Sequence, residues 1–279
     1  MMRAVILGGV AWNTMVSVDR FPDPEPQTIF ASGMHEAVGS SGAGKAMNLR
    51  TLGADVTLWA LIGDDEAGTR IRTEMDRRGI EFIGEIDPLG TARHVNLMDA
   101  DGDRISIFAN AGSHSFDVDP SPARHAIERA DLVSVIIHDH CRAFLPVVAG
   151  AGKRLWVDIH DYDGDNPHHR EFIDAADYLF MSSVAMDDWR GFLEERVQKG
   201  ATVAVCTHGA DGASGLTADD GWVDVPAVPV PVAVDTNGAG DAFFAGFAVT
   251  WLHDRDLPAA MQSGAEQAAR AVGSTELSP

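Results

Sequence analysis

The chain has 279 residues, and 45% of them are hydrophobic, which suits one large α/β domain with a substantial buried core. Its 42 acidic and 21 basic residues give a net charge of -21, which argues against general affinity for nucleic acid or an anionic membrane. An anionic ligand must therefore be held by local donors, such as the N-terminus of a helix.

Two cysteines and the first residues narrow the class of protein further. Cys141 and Cys206 lie beside apolar, strand-like runs, so we expect buried free thiols rather than a disulfide or a metal site. The opening run MMRAVILGGVAW is short and predicts a first strand, not a signal peptide. Since no apolar run has the length of a membrane span, we expect a cytoplasmic protein.

Short apolar runs alternate with amphipathic segments of helical length. Continuous apolar runs are typical of parallel strands that are covered on both faces. The alternation predicts an α/β fold with a doubly wound, mostly parallel sheet and right-handed crossovers. The predicted strands are 4–9, 56–63, 131–137, 154–159, 178–181 and 202–207, and the predicted helices are 44–52, 67–78, 121–129, 184–198, 239–253 and 258–271.

Two segments interrupt this alternation. Residues 14–38 are rich in proline, and residues 91–111 have the pattern of two strands joined by a turn at Asp101-Gly102. We interpret both as strands of a small β lid, whose open edges favour a homodimer. The predicted domains are an α/β domain of residues 1–12, 39–90 and 112–279, and a lid of residues 13–38 and 91–111.

The stretch VDTNGAGDAFFAGF places Gly238, Ala239 and Gly240 directly before Asp241 and an apolar helix. The first backbone N–H groups of a helix have no partners and bind anions, and small residues let a phosphate approach them. One interpretation is a helix N-terminus with an acidic first turn. The other is a phosphoryl-transfer site, in which Asp241 accepts the proton of an attacking hydroxyl.

The same stretch resembles the C-terminal signature of the ribokinase (PfkB) family of carbohydrate kinases, whose usual form is DTxGAGD before a helix of small residues. The resemblance implies a ribokinase-like fold. It also implies that Asp241 is the catalytic base and that residues 238–240 form an anion hole. Asp235, with neighbouring carbonyl groups, is then a candidate site for a monovalent cation such as K⁺.

A second glycine cluster, GSSGAGKAMNLRTLG, begins at Gly39. It nearly matches a P-loop through Gly39, Gly44 and Lys45, but Ala46 stands where the Mg²⁺-binding hydroxyl should be. Glycines for tight helix packing are another interpretation. Lys45 either reaches a phosphate of a bound ligand or lies on the solvated face of the helix.

This cluster also resembles the N-terminal signature of the ribokinase family, which is followed by a GDD-x-x-G motif, here residues 63–68. In the family the glycine pair contacts substrate hydroxyls, and the resemblance therefore nominates Gly39, Ser40 and Gly42. The chain departs from the signature at two positions: Ser40 replaces the second glycine, and Gly44 replaces the usual asparagine.

Further site residues follow from the resemblance. Asn13 occupies the position of an aspartate that binds two sugar hydroxyls in the family. Because an amide has one acceptor oxygen and one NH₂ donor group, the set of substrate hydroxyls that it recognises should differ. The alternative is that Asn13 is simply a turn residue. Thr207, Gly209 and Gly212 match a TxGxxG turn that lines the ATP site.

One family motif is missing. The family's N-x-x-E motif helps to organise Mg²⁺, but the matching positions here are Ser182-Ser183-Val184-Ala185. Asp187 or Asp188 is a candidate replacement from one turn further on.

Histidines follow two predicted strands, in His138-Asp139-His140 and in His160-Asp161. Ligands of doubly wound folds bind at such strand ends. These side chains either form a metal site or line the cleft and cap helices.

The expected protein is a kinase that uses ATP and Mg²⁺ to phosphorylate a hydroxymethyl group of a sugar. A nucleoside kinase with an adenosine-like acceptor is the main alternative. A non-catalytic, ligand-binding member of the family is the third, because the N-x-x-E motif is missing.

Overall fold

Strands and helices alternate along most of the chain, of which a computed structural model describes residues 1–100, 103–274 and 276–279. The strands of these residues are β1 (Arg3–Leu7), β2 (Ala11–Ser17), β3 (Gly33–Gly39), β4 (Asp55–Ile62), β5 (Glu81–Ile86), β6 (Arg93–Met98), β7 (Arg104–Asn110), β8 (Leu132–Ile136), β9 (Leu155–Asp158), β10 (Tyr178–Ser182), β11 (Val203–Thr207), β12 (Ala213–Thr217) and β13 (Gly221–Val225). The α-helices are α1 (Ser41–Thr51), α2 (Glu66–Arg77), α3 (Ser121–Arg129), α4 (Leu145–Gly150), α5 (Arg170–Ala175), α6 (Trp189–Gln198), α7 (Ala239–Asp254) and α8 (Leu257–Val272).

The main sheet has nine strands in the order β13-β12-β11-β10-β9-β8-β1-β4-β5. All neighbours from β11 to β5 pair in parallel. The last two strands, β12 and β13, pair antiparallel at one edge. The prediction of a doubly wound, mostly parallel sheet flanked by helices is confirmed.

Each face of the main sheet packs against its own set of helices. Residues of α1, α2, α7 and α8 form the core on one face, and residues of α3, α4, α5 and α6 form the core on the other. Successive strand residues point to opposite faces. In β4, for example, Leu58 is buried in the first core and Trp59 in the second.

The six predicted strands of the main sheet are all present, and five of the six predicted helices have nearly the predicted bounds. The prediction of a helix from residue 184 is wrong at its start, because Ser183–Ala185 form a 3-10 turn and α6 begins at Trp189. Strands β5, β12 and β13 were not predicted, since β5 and β13 are edge strands of mixed composition and β12 consists mainly of small and polar residues.

A second, four-stranded sheet has the order β3-β2-β6-β7. β2 pairs antiparallel with β3 and parallel with β6, and β6 pairs antiparallel with β7. The prediction that two outlying segments form a small sheet is confirmed, although the predicted turn at Asp101-Gly102 lies outside the described residues. The boundaries proposed above for the two domains stay a prediction.

The connections bring the two sheets together over one end of the main sheet. β1 leads into β2 of the small sheet, and β3 returns directly to α1. Helix α1 packs on α7, so the N-termini of both helices meet beside the carboxyl ends of the central strands. Among the residues that the structure describes, no helix has the length and apolar character needed to cross a membrane.

Candidate active site

A cavity of about 760 Å³ lies between the carboxyl ends of the central strands and the small sheet. This edge is where doubly wound folds bind their ligands. The lining on the main-sheet side includes Ser40, Ser41, Asp158, His160 and Gly238, Ala239, Gly240 and Asp241, and the lining on the small-sheet side includes Asn13, His94, Asn96, Arg104 and Phe108.

Helix α7 begins at this cavity with the predicted small residues. Its N-cap, Gly238, has a φ of 79°, in the left-handed region that favours glycine. A Cβ on Gly238 would also lie 2.5 Å from Leu277 Cδ1, whereas one on Gly240 would meet open space. No side chain of the described part of the chain caps this helix end. The first N–H groups of α7 therefore lack a side-chain cap, and their role as an anion hole stays a prediction.

Asp241 is buried, with 9% of its surface exposed, and it lines the cavity in the first turn of α7. Its Oδ1 accepts hydrogen bonds from Ser41 Oγ at 2.7 Å and from Lys45 Nζ at 2.5 Å. Both donors lie on α1, so the packing of α1 on α7 fixes the orientation of the carboxylate.

Lys45 is fully buried, so the interpretation of a solvated helix face is wrong. Its Nζ donates to Asp241 Oδ1, to Asp158 Oδ2 at 2.9 Å and to Ser41 Oγ at 2.7 Å. Burial alone would lower the pKa of the Lys45 ammonium, but the charges of Asp158 and Asp241 raise that pKa above its usual range. Lys45 therefore remains a cation inside the protein.

Asp158 is a site residue that the sequence analysis missed. It ends β9, is 8% exposed and lines the cavity. Burial raises the pKa of its carboxyl, but His160, Lys45 and the backbone N–H of His160 together lower that pKa to about 2. The available signal in the sequence was an acid at the carboxyl end of the apolar run LWVD, two positions before His160.

The departure from the family's N-terminal signature at Gly44 has a local cause. A Cβ on Gly44 would lie 2.3 Å from Asp241 Oδ2, so a side chain at this position would displace the carboxylate. A Cβ on Gly42 would lie 1.8 Å from Gly8 O. Ser40, at the start of α1, has a φ of 76°, which is unusual for a residue with a side chain.

Asn13 lies in the middle of β2, so the interpretation of a turn residue is wrong. The residue is 4% exposed, lines the cavity and packs on Gly39, where a Cβ would lie 2.0 Å from Asn13 Nδ2. Its Oδ1 is buried and accepts no hydrogen bond from the residues described. Buried polar atoms in proteins usually have partners, so Oδ1 is suited to accept a hydrogen bond from a ligand.

The predicted nucleotide-binding turn is only partly at the cavity. Thr207 ends β11 and is part of the lining, but Gly209 and Gly212 are not. Gly212 has a φ of 99°, and a Cβ there would lie 2.1 Å from Val225 O. This close approach to β13 explains why position 212 is glycine, whether or not a nucleotide binds nearby.

Three aspartates were proposed from the sequence as cation ligands, and the structure places them differently with respect to the cavity. Asp235 is partly buried beside the cavity, and burial raises the pKa of its carboxyl against the opposing effect of the Asn237 N–H, which donates to Oδ1 at 2.7 Å. Asp187 is exposed, and Asp188 caps α6 by accepting from Gly191 N. Neither of these two lines the cavity, whereas Asp161 does.

The histidine pairs line the cleft, as one of the two interpretations predicted, through His138 and His160. The ligand atoms of His138, His140 and Cys141 lie within 4.8 Å of one another, so among the described residues these three could hold a soft metal ion. Burial raises the pKa of the Cys141 thiol, and its Sγ lies 3.5 Å from Leu7 O. Cys141 and Cys206 are buried free thiols, as expected.

Comparisons with known proteins identify the family that the chain resembles. The sequence model for the pfkB family of carbohydrate kinases matches residues 10–279. An acarbose 7(IV)-phosphotransferase of Actinoplanes sp. is 30% identical over 94% of this chain and 89% of its own length. An ATP-dependent ribose-1-phosphate kinase of Halopiger xanaduensis is 29% identical, with the same two coverages. The solved structure of a microbiome-derived acarbose kinase is 31% identical with a TM-score of 0.91, and covers 98% of this chain and 93% of its own.

The family match spans almost the whole chain, so the resemblance drawn from the two glycine motifs is confirmed. The fold is ribokinase-like, with a large, mostly parallel sheet and a small second sheet. The chain belongs to the pfkB family of carbohydrate kinases, which are phosphotransferases with an alcohol group as acceptor.

Proposed function

We propose that this chain transfers the γ-phosphoryl group of ATP to a hydroxymethyl group of a sugar. Asp241 is the catalytic base, and the Gly238-Ala239-Gly240 turn is the anion hole. The single observation that carries the proposal is that the Asp241 carboxylate and the uncapped start of α7 line one cavity. An alcohol that attacks a phosphate needs a base and an anion-binding group at the same place.

The two oxygens of Asp241 have different surroundings. Oδ1 is held by Ser41 and Lys45, while Oδ2 accepts no hydrogen bond from any residue in the described ranges. In the proposed step, Oδ2 takes the proton of the acceptor hydroxyl as the hydroxyl oxygen bonds to the γ-phosphorus. The bond from that phosphorus to the β–γ bridging oxygen breaks, and ADP leaves. The N–H groups of the turn bind the negative charge of the moving phosphoryl group.

The acceptor is proposed to lie against the small sheet. Asn13 Oδ1, buried and without a partner among the residues described, would accept a hydrogen bond from a sugar hydroxyl. Gly39, Ser40 and Gly42 would place backbone close to the same sugar. Two relatives whose names specify sugar derivatives support this choice of acceptor.

A nucleoside acceptor is the second candidate. The exposed Phe108 ring lies 4.1 Å from the His94 ring, centroid to centroid, and both line the cavity. Aromatic rings of this kind offer a flat surface on which a base can stack. A non-catalytic family member is the third candidate, because Ser182 and Ala185 replace the N-x-x-E motif.

Mg²⁺ supplies charge neutralisation at the phosphates of ATP when it is bound. Mg²⁺ prefers oxygen ligands and usually keeps several waters. Asp161 and Ser182 are oxygen-bearing residues of the lining, and Asp161 forms no ion pair with another described residue. We propose that these two contact the hydrated ion, and that Thr207, Gly209 and Gly212 border the nucleotide. Asp235 would contribute to a K⁺ site.

The small sheet is proposed to act as a lid that excludes water from the transfer step. Its outer face exposes Met34, Ile105 and Ile107, and its edge strands are β3 and β7. These features support the predicted homodimer through the lid. A cytoplasmic location stays a prediction from the sequence.

An acceptor panel tests the proposed function. The protein is incubated with Mg-ATP and with ribose, fructose, phosphorylated sugars, a tri- or tetrasaccharide, adenosine or other nucleosides, and ADP and the product mass are measured. Phosphorylation of a sugar supports the proposal, and phosphorylation of nucleosides alone favours the second candidate. Ligand binding without ADP from any acceptor would favour the non-catalytic candidate.

A further inference from the structure

The ion cluster behind the catalytic base consists of Lys45, Asp158 and Asp241. Lys45 Nζ donates to both carboxylates and to Ser41 Oγ, so its three N–H donors are all used inside the protein. Lys45 is 0% exposed and is not part of the cavity lining. It has no donor left for a phosphate of the substrate.

Burying a lysine is costly unless paired carboxylates compensate for lost hydration. Two carboxylates share this one ammonium, which leaves the cluster with a net charge of about -1 when all three groups are ionised. Phe244 packs on the same ammonium, with its ring centroid 5.2 Å from Nζ. The surroundings thus exclude water from the side of Asp241 that faces away from the cavity.

We infer that Lys45 and Asp158 are positioning residues, which set the proton affinity of the Asp241 carboxylate and aim its Oδ2 at the acceptor hydroxyl. The inference rests on the proposed function of Asp241 as the base. Lys45 favours the ionised carboxylate, which would otherwise be repelled by the phosphates of ATP. Asp158 also pairs with the Lys45 ammonium and partly neutralises its positive charge. Asp241 therefore stays basic enough to take a proton.

A second observation supports the same arrangement. The position before Lys45 is Gly44, and a Cβ there would lie 2.3 Å from Asp241 Oδ2 and 2.9 Å from its carboxyl carbon. The glycine leaves room for the carboxylate, and the next residue supplies its counter-ion. The departure from the family signature at Gly44 thus fits the ion pair that the next residue forms with Asp241.

Other ionisable groups face the cluster and must be considered in any pH profile. His160 Nδ1 lies 3.6 Å from Asp158 Oδ2 at the end of β9. The cavity lining adds His138 and Asp161 from the main-sheet side and His94 and Arg104 from the small sheet. None of these four is in an ion pair with Lys45 or Asp241 among the described residues, and the substitutions below leave all of them unchanged.

The test compares Lys45→Met with Asp158→Asn, using the acceptor that the panel identifies. Lys45→Met removes the positive charge that contacts Asp241 Oδ1, and an opposite charge at this distance favours the ionised carboxylate. The acidic limb of the kcat/KM profile then moves to higher pH. Asp158→Asn should move that limb to lower pH, because the ammonium is no longer shared. The matched control is Lys153→Met, because Lys153 Nζ donates to Ala130 O and forms no ion pair with any residue that the structure describes; it should leave the limb unchanged.

A direct titration separates this inference from the proposed function. The Asp241 carboxyl carbon is followed by NMR against pH in the unmodified protein and in both variants, with Asp241→Asn used to assign the signal. Opposite shifts of this titration in the two variants support the inference even if no acceptor is turned over. Coincident titrations in all three proteins, or shifts of the same sign in both variants, would overturn it. If Lys45→Met does not fold, the Asp158→Asn variant alone is used. A titration of the Asp241 signal at lower pH than in the unmodified protein supports the inference, and an unchanged titration overturns it.

Discussion

The two walls of the cavity differ in how tightly their side chains are held. On the main-sheet wall, Lys45, Asp158 and Asp241 are 0%, 8% and 9% exposed and bonded to one another. On the small-sheet wall, Phe108 is 64% exposed, and Arg104 donates a hydrogen bond to Asn237 across the cavity. Groups proposed to act on the proton are therefore fixed by packing and ion pairs, while the wall proposed to face the acceptor combines one buried residue, Asn13, with the exposed ring of Phe108.

This difference has a physical reason. A base must be held close to its productive geometry, and a small displacement costs a large factor in rate. Recognition of a flexible polyol depends on several weaker hydrogen bonds and ring contacts, each of which contributes a smaller factor. Changes in the main-sheet wall should therefore lower kcat strongly, and changes in the small-sheet wall should mainly raise the KM for the acceptor.

Gly44→Ala should produce the largest effect of the substitutions near the ion cluster. The new methyl group would meet Asp241 Oδ2, so we expect kcat to fall about 10- to 100-fold. Gly150→Ala, in α4, is the matched control, because a Cβ there meets nothing within 4 Å, and it should leave kcat unchanged. Equal kcat values for both variants would show that the fit around Asp241 is not required.

Asn13→Ala should act on the acceptor rather than on the transfer step. Loss of the buried amide removes one hydrogen bond to the acceptor, so its KM should rise about tenfold while kcat changes little. The KM for ATP, measured in the same experiments, is the internal control. A lower melting temperature with an unchanged KM for the acceptor would instead assign Asn13 a structural role only.

Phe108→Ala should have a smaller effect on the same parameter. Its ring lines the cavity beside His94 but is 64% exposed, so the KM for the acceptor should rise about 2- to 5-fold. The control is Ile107→Ala, at the preceding position of β7, because Ile107 is 49% exposed and does not line the cavity. An equal loss in both variants would indicate a general weakening of the lid.

Acid should destabilise the main-sheet wall. The pKa of Asp158 is about 2 in the folded protein and about 3.9 in an unfolded chain, so its stabilising effect is present at neutral pH and is lost as the pH falls between these values. The effect on the free energy of unfolding should be on the order of 2 kcal/mol. In urea unfolding at several pH values, Asp158→Asn should show a flatter dependence over this range. Glu74, whose pKa is also about 2, is present in both proteins and contributes equally. Parallel curves for the two proteins would contradict the assignment.

The sequence predicted the parts of the fold that depend on local pattern. Apolar runs identified the central strands, and the small residues before Asp241 identified the start of α7. Edge strands such as β5 and β13 were missed, because half of an edge strand is exposed and its composition is mixed.

Site residues could be proposed from the sequence where one short motif includes both the anion-binding turn and the base, as in residues 238–241. Lys45 and Asp158 were not assigned correctly, because they are 113 positions apart and meet only through the packing of α1 against the end of β9. A lysine in a helix is usually solvated, and only the carboxylates supplied by distant segments make its burial favourable.

The most direct test of the account is the Asp241→Asn variant, compared with the unmodified protein on the acceptor that the panel identifies. The change keeps the shape of the side chain but removes the base, so kcat should fall by about 10²- to 10⁴-fold. The dissociation constants of ATP and acceptor, measured by calorimetry, should stay within about threefold of the original values. Asp219→Asn, at an exposed turn, should leave kcat unchanged. A variant at position 241 that binds both ligands and transfers phosphate at the original rate would contradict the central claim.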